Sequence, residues 1–367
     1  MGFRYHNPVA IVAGSGSLAS LPALLAGRTV VLVTFPEAQG LGLVDRLRAL
    51  LGTALRGVED GIAPNPDVAT LGPMYERFWR THRDVDAVLA VGGGSAIDSA
   101  KALMVGTASG TFAELVELLA RGAPFTPHAV KPLIAVPTTA GTGSEVTPWA
   151  TVWDRAANRK HSLHLPQTWP EAAVIDADLM LTLPGPVTLQ SGLDALSHAL
   201  EAIWNVNANP ISDHHAVAAA RAVMDTLPRL MKDLSSRELR ESMALAALQA
   251  GLAFSNTKTA LAHSISYEMT LRFGLPHGIA CSFTLPMVLQ RAVGADASRD
   301  AVLRRIFGEL HDAPARLSRF LQELGIATDF AAYGVAPADS DRMFAHALDG
   351  VRGRNFIGAR TAAAAAG

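Results

Sequence analysis

Asp194 and His198 stand four residues apart in a stretch with helical patterning, so both side chains leave one face of a helix. His263 lies in a second helical run, and His277 follows fourteen residues later in Pro276-His277-Gly278. One carboxylate and three imidazoles make a four-ligand set for a divalent ion, with room for a substrate oxygen. The alternative for each histidine alone is a satisfied structural role, and an i, i+4 Asp/His pair also occurs on helix surfaces. Adjacent His214 and His215 project about 100° apart on a helix and share no ligand face. His82, His128, His161, His164, His311 and His346 have no partner at ligand spacing.

Two other segments suit phosphates and hydroxyls. Gly92-Gly93-Gly94-Ser95 follows a strand-like run and opens a helical one, Ala96-Ile97-Asp98-Ser99-Ala100-Lys101. Glycines let backbone N–H groups approach a phosphate, and a helix N-terminus adds a favourable partial charge. The third glycine of GxGxxG and the GK[ST] of a P-loop are both missing, and a tight turn without a ligand is the alternative. Pro137-Thr138-Thr139-Ala140-Gly141-Thr142-Gly143-Ser144-Glu145 also follows an apolar run. Its hydroxyls suit a ribose, a pyrophosphate or a carboxamide, or else they satisfy their own backbone. Two such loops at strand ends of one sheet favour a nucleotide cleft.

The elements that must position these residues change character along the chain. Strand-like runs at Ala10–Ala13, Thr29–Thr34, Ala87–Val91 and Leu133–Val136 alternate with helical runs such as Val44–Leu51 and Ala96–Val105. Such alternation implies a parallel, doubly wound sheet. From about Pro186 onward no convincing strand remains. Helical patterns span Thr188–Trp204, Ser212–Met231, Arg237–Ser255, Thr259–Leu271, Ala301–Phe307 and Pro314–Leu324. The expected division is residues 1–182, α/β and nucleotide-binding, and residues 183–367, helical and metal-binding. No solenoid-type repeat is visible, and the Thr361–Gly367 tail (TAAAAAG) is expected to fray.

Composition narrows the possibilities. Of 367 residues, 49% are hydrophobic and only 17% charged, which excludes intrinsic disorder for the bulk of the chain. The low charged fraction calls for a large core or a subunit interface, and a homodimer is expected. Net charge is −2, so no basic excess exists to neutralise nucleic-acid phosphates. A lone cysteine, Cys281, excludes a disulfide framework and a multi-cysteine metal site. The longest charge-free apolar stretch, Ser242–Thr257, is shorter than the about 20 residues a membrane span needs. Residues 1–8 carry no apolar signal segment, so a cytoplasmic location is the default expectation.

Taken together, GGGSAIDSAK (92–101), PTTAGTGSE (137–145), Asp194-x3-His198 and His263 with Pro276-His277-Gly278 resemble the iron-containing (group III) alcohol dehydrogenase family. The resemblance covers essentially the whole chain, in family order. It implies a Rossmann-like parallel N-terminal α/β domain, an all-α C-terminal domain of the dehydroquinate synthase-like type, and an active-site cleft between them. It also implies that Gly92, Gly93, Gly94 and Ser95 cradle the pyrophosphate of NADH or NADPH, with Asp98 at the edge of the pocket. Thr138, Thr139, Thr142 and Ser144 would line the cofactor, and Lys160 would lie near its ribose. Asp194, His198, His263 and His277 would hold one divalent metal, Fe(II) by family resemblance, with Zn compatible with the same ligands. The implied reaction interconverts a small aldehyde and its primary alcohol.

Two departures from the family pattern matter. Many members carry another histidine four residues after the third ligand, implicated in proton relay, where this chain has Tyr267. A phenol with its pKa near 10 is a poorer shuttle at neutral pH than imidazole. After the Thr29–Thr34 run, where NAD-preferring members often place an acidic residue, Phe35-Pro36 stands, so nothing repels a 2′-phosphate. The run from Asn256-Thr257-Lys258-Thr259-Ala260 to Tyr267, with Gly274-Leu275-Pro276-His277-Gly278, looks similar to the phosphonoacetaldehyde reductases of this family. Lys258 could offer a cation to an anionic substrate, and Arg354-Asn355 a second contact, or Lys258 is a solvated structural lysine. Trp149 and Phe254 could wall the substrate pocket or belong to aromatic core. The alternatives are a general iron-containing alcohol dehydrogenase, a maleylacetate reductase, a glycerol-type dehydrogenase, a lyase on the same scaffold, and a non-catalytic nucleotide-binding relative.

Overall fold

The computed structural model describes residues 2–157 and 159–359, so the Thr361–Gly367 tail lies outside the described residues. The chain divides into two compact units. One holds residues 8–139 and 144–180, and the other holds residues 1–7, 140–143 and 181–367.

Among its described residues the first unit carries ten strands: β1 (Ala10–Ala13), β2 (Val30–Val33), β3 (Leu55–Glu59), β4 (Ala87–Gly92), β5 (Val105–Gly106), β6 (Ala129–Val130), β7 (Leu133–Pro137), β8 (Trp149–Asp154), β9 (Arg159–His164) and β10 (Ala172–Ile175). Six of them form one sheet in the order β1-β10-β7-β4-β2-β3, and every pairing in it is parallel. Every residue of β2, β4, β7 and β10 is buried. Covered on both faces, these strands need apolar side chains throughout rather than in alternation. Val31, Val33, Val88 and Ala90 enter one core with Tyr75 and Phe78, while Val30, Leu32, Leu89 and Val91 enter the opposite core with Leu21 and Leu47.

The four strand-like runs of the sequence all lie in this sheet, and the α/β reading stands. The sequence pattern did not reveal β3, β10 or the β8–β9 hairpin. The edge strand β3 mixes Arg56, Gly57 and Glu59 among its apolar residues, and β8–β9 pair antiparallel, outside the parallel scheme. The Val68–Thr81 helix was hidden by an internal Pro73, and Asp67 caps it by accepting from the Ala69 N–H at 2.9 Å.

A buried ammonium organises the far side of β4. Lys101, fully buried, donates to the carbonyls of Ser144 (2.6 Å), Thr147 (2.8 Å) and Trp149 (2.7 Å) and to Ser144 Oγ (2.9 Å). Asp98, one helical turn earlier, accepts from Ser144 Oγ (2.5 Å) and the Thr151 N–H (2.8 Å). The pair ties residues 144–151 to the Gly94–Leu103 helix. Burial pulls Lys101 down to about 8, opposed by Asp98 and Glu145, and pushes Glu145 up to about 7.

The second unit is helical. Its principal helices are Gly185–Ile203, Pro210–Leu230, Arg237–Thr257, Leu261–Phe273, His277–Ser282, Leu285–Ala292, Ala297–Phe307, Ala313–Glu323 and Pro337–Asp349. Among its described residues the only β pairing is an isolated bridge between Asn205 and Phe356. Asn209 caps the Pro210 helix by accepting from Ile211 N and Ser212 N, both at 3.1 Å. The helix expected over Thr259–Leu271 instead runs Leu261–Phe273, because residues 258–260 are a non-helical link between two helices. Gly141 and Gly143 belong to this unit. A Cβ on Gly141 would lie 2.7 Å from the Ser191 carbonyl oxygen, and one on Gly143 2.6 Å from Gly251 Cα. No described helix is long and apolar enough to cross a membrane.

Glu145 gives the first unit a pH signature. Its ordinary value is 4.5, so between 4.5 and about 7 the folded protein holds a proton that the unfolded chain has released. Stability therefore falls as pH rises through that window. For Lys101 the sign reverses: from about 8 to its ordinary 10.5 the unfolded chain holds the extra proton, and stability rises. Denaturant titrations across pH should show a flatter profile between 4.5 and 7 in Glu145→Gln than in the wild type.

Candidate functional site

In the first unit, β4 and β7 are neighbours with Gly92 in register with Pro137, so their C-terminal ends lie side by side. The Thr138 N–H donates to the Gly92 carbonyl at 2.9 Å. A Cβ on Gly92 would lie 2.6 Å from Ala96 Cβ, and one on Gly93 3.3 Å from the Thr139 side chain. Glycine is therefore what lets the helix start close to the strand and the two loops close to each other. Gly93 is the N-cap of the Gly94–Leu103 helix, whose N-terminus includes Ser95. Ser95 Oγ accepts from Asn65 N at 3.1 Å. Of the remaining residues singled out in this unit, Ser144 is buried in its bonds to Asp98 and Lys101. Lys160 lies on β9 with its ammonium 5.6 Å from the Trp153 ring centroid. Trp149 stacks on His164 at 3.8 Å between ring centroids.

In the helical unit, Thr142 falls within the short 140–143 segment, and Asp194 gathers the three histidines. Asp194 and His198 share a face of the Gly185–Ile203 helix, His263 sits in the first turn of the Leu261–Phe273 helix, and His277 opens the His277–Ser282 helix. The Nε2 atoms of His198, His263 and His277 lie 3.8, 3.4 and 3.8 Å from Asp194 Oδ1. Ligands about 2.1 Å from one ion in tetrahedral array sit roughly 3.4 Å apart. Among the described residues, His263 Nε2 is buried with no hydrogen-bond partner. A buried ring nitrogen left without a partner in such surroundings fits a metal ligand. His198 stacks between Phe254 (4.0 Å) and His263 (4.6 Å). Only His277 is substantially accessible, its side chain 31% exposed, so the cluster opens on that side.

The sequence reading missed Glu201, which supports all of this. It is fully buried, and it accepts from the N–H groups of Ala260 (2.7 Å), Ala262 (2.5 Å) and His263 (3.3 Å) and pairs with His263 Nδ1 at 2.7 Å. A carboxylate on Nδ1 fixes the tautomer and leaves Nε2 for an ion. The available signal was Asp194-x3-His198-x2-Glu201, three ionisable groups on one face of a helix that carries no others.

Charge sets the protonation of the cluster. Burial alone would raise the Asp194 carboxyl, but the three surrounding imidazoles hold it far below its ordinary range. Burial drives His198 down to about 4. Burial also opposes protonation of His263, yet Glu201 and Asp194 outweigh it and raise the ring to about 9. A metal held there at neutral pH would displace a proton from His263. Cys281 lies in the same group, its Sγ 3.4 Å from Asp194 Oδ1. Burial, reinforced by Asp194, pushes the thiol well up, so it stays protonated and donates to Asp194. Tyr267 sits with Arg352 over its ring at 5.0 Å, and burial pushes its phenol up to about 12. Lys258 is exposed and caps the Arg237–Thr257 helix, donating from its N–H to the Phe254 carbonyl at 2.8 Å.

Two family models match this chain: "Iron-containing alcohol dehydrogenase" over residues 8–177 and "Fe-containing alcohol dehydrogenase family, C-terminal" over residues 188–363. The chain belongs to the iron-containing alcohol dehydrogenase family. The family's iron matches the expected metal. Among its members, alcohol dehydrogenase 4 of Schizosaccharomyces pombe is 32% identical over 252 residues, 68% of this chain and 58% of that protein. Phosphonoacetaldehyde reductase of Streptomyces viridochromogenes is 37% identical over 238 residues, 64% of this chain and 58% of that protein. The chain thus spans less than two thirds of these curated relatives. The crystal structure of sulfoacetaldehyde reductase from Bifidobacterium kashiwanohense in complex with NAD+ superposes with a TM-score of 0.88 at 28% identity. That match covers 97% of this chain and 94% of the other.

Two substitutions test the geometry of the centre. Glu201→Gln turns an amide N–H toward backbone donors and should weaken metal binding about 10–100-fold, read by chelator competition. In Gly278→Ala the new Cβ would lie 1.9 Å from the Gln190 carbonyl oxygen, on the helix that carries Asp194. This overpacking should cost about 1–3 kcal/mol in denaturant unfolding and lower metal affinity by displacing His277.

Proposed function

We propose that this protein is a metal-dependent NAD(P)H reductase that interconverts a small anionic aldehyde, with phosphonoacetaldehyde as the leading candidate, and its primary alcohol. The observation that carries the reading is the ring of three histidines around Asp194, with Glu201 behind His263. Asp194, His198, His263 and His277 would hold one divalent ion, Fe(II) in the first instance. Such an ion supplies Lewis-acid polarisation of a carbonyl oxygen, and a bound nicotinamide supplies the hydride.

The chain's own residues do the rest. Gly92, Gly93, Gly94 and Ser95 present a helix N-terminus to the dinucleotide pyrophosphate. Thr138, Thr139, Thr142 and Lys160 complete the cofactor site, with Asp98 and Ser144 fixing its wall through Lys101. Nucleotide binding is assigned to residues 1–182 and metal binding to residues 183–367. Phe35 and Pro36 leave both NADH and NADPH admissible. Tyr267 keeps its proton at neutral pH, which suits a hydrogen-bond donor to the substrate oxygen rather than an ionising shuttle. Lys258, five residues before His263, supplies a cation for the substrate's anionic end. Two relatives support that class, one a phosphonoacetaldehyde reductase and the other a sulfoacetaldehyde reductase. The reading includes a cytoplasmic homodimer.

Purified protein loaded with Fe(II) should oxidise NADH or NADPH on addition of phosphonoacetaldehyde. Removing the metal with a chelator should abolish turnover, and adding Fe(II) back should restore it. Asp194→Ala should lose both metal and activity. A metal-replete enzyme that leaves both dinucleotides untouched across a panel of small aldehydes would overturn the reading.

A further inference from the structure

Lys258 has backbone angles φ 67° and ψ 170°. That region of conformational space is essentially reserved for glycine, because a Cβ there crowds the backbone. Among the described residues only Ala26, Asn65 and Lys258 are non-glycine with positive φ, and Ala26 adopts the ordinary left-handed form with ψ 43°. Strain of this kind persists only where the surroundings over-determine the chain.

The surroundings here are three asparagines. Asn207 Nδ2 donates to the Thr257 carbonyl (3.1 Å), Asn205 Nδ2 to the Lys258 carbonyl (3.1 Å) and Asn355 Nδ2 to the Thr259 carbonyl (2.8 Å). Three successive carbonyls are thus each held by a separate side-chain amide. Asn205 is buried, and its Oδ1 accepts from both the backbone and the side chain of Asn207. Arg352 Nε donates to Thr259 Oγ1 at 3.2 Å. On the following residue, the Ala260 N–H is held by Glu201, the same carboxylate that orients His263.

A glycine at 258 would sit in this turn without strain, yet the chain keeps a long cation there. We propose that Asn205, Asn207 and Asn355 are positioning residues for substrate selection. By locking the carbonyls of residues 257–259, they fix where the Lys258 side chain leaves the backbone relative to His263. A cation leaving the backbone at that point, five residues before His263, can meet the anionic end of an aldehyde whose carbonyl lies at the metal centre. The matching substrate class is a short aldehyde carrying a phosphonate or sulfonate. This inference rests on the anionic-aldehyde reading above, and it adds the device that enforces it.

The test compares kcat/KM for phosphonoacetaldehyde and sulfoacetaldehyde with that for propanal in the Fe(II)-loaded enzyme. The wild type should favour the anionic aldehydes. Lys258→Gly and Lys258→Ala should lower the anionic-to-neutral ratio at least tenfold, mainly through KM. Asn205→Ala and Asn355→Ala should each lower it at least threefold, again through KM, and either variant suffices should the other fail to fold. Lys258→Gly should unfold several degrees above Lys258→Ala, since only glycine relieves the turn. A wild type that favours propanal overturns the anionic reading itself. Lys258 variants with an undiminished ratio overturn the lysine's role. Asparagine variants that keep the ratio while the lysine variants lose it overturn the positioning device and leave the anionic reading standing. A Lys258→Gly no more stable than Lys258→Ala overturns the strain on which that device depends.

Discussion

Glu201 is a carboxylate removed from water, and its two oxygens must find donors inside the protein. They find the N–H groups of Ala260, Ala262 and His263 at the start of one helix, and the ring of His263 itself. An unpaired buried carboxylate costs several kcal/mol, so this arrangement does not slip by a residue. The entry to the Leu261–Phe273 helix, the turn before it and the His263 ring are therefore set by one interaction. Asp194 and His198 project from the same helix as Glu201, so the carboxylate also fixes their register against His263.

The electrostatics of the centre follow. Two buried carboxylates, Asp194 and Glu201, face three imidazoles. Without an ion, part of that charge is balanced by a proton on His263, whose affinity for it is raised to about 9. A divalent cation held there would balance both carboxylates at once and restore His263 to its neutral form. The first unit solves a related problem differently. There Lys101 is the buried ion, and three carbonyls and a hydroxyl surround it to hold the segment after Gly143 against the Gly94–Leu103 helix. In both units a buried charge ties loop to helix.

Much of this was legible in the chain. The apolar runs of β2, β4 and β7 needed no tertiary information, because a strand buried on both faces has no polar positions to confuse the pattern. The Asp194/His198 spacing was legible because helix geometry alone puts both on one face. Other elements were hidden for physical reasons. The edge strand β3 carries polar residues, and Pro73 interrupts the periodicity of a helix that forms regardless. Residues 259 and 260 were read as helix because the conformation of the 258–260 link is imposed by Asn205, Asn207 and Asn355, the nearest of them fifty residues distant along the chain. Gly141 and Gly143 read as ligand-binding loop glycines, yet each has a steric reason in the helical unit, against Ser191 and Gly251.

Local spacing and hydrophobic patterning thus determined the fold class, the two regimes along the chain and a set of residue types capable of holding a metal. Those signals are short-range, and backbone geometry fixes their outcome. Only the tertiary structure decided that Asp194 is the atom around which three histidines converge, that Glu201 stands behind His263, and that Lys258 is held in a glycine's conformation. Each depends on groups separated by tens of residues that meet only when helices pack. The energy that selects them, pairing buried charges and satisfying buried carbonyls, exists only once water has been excluded.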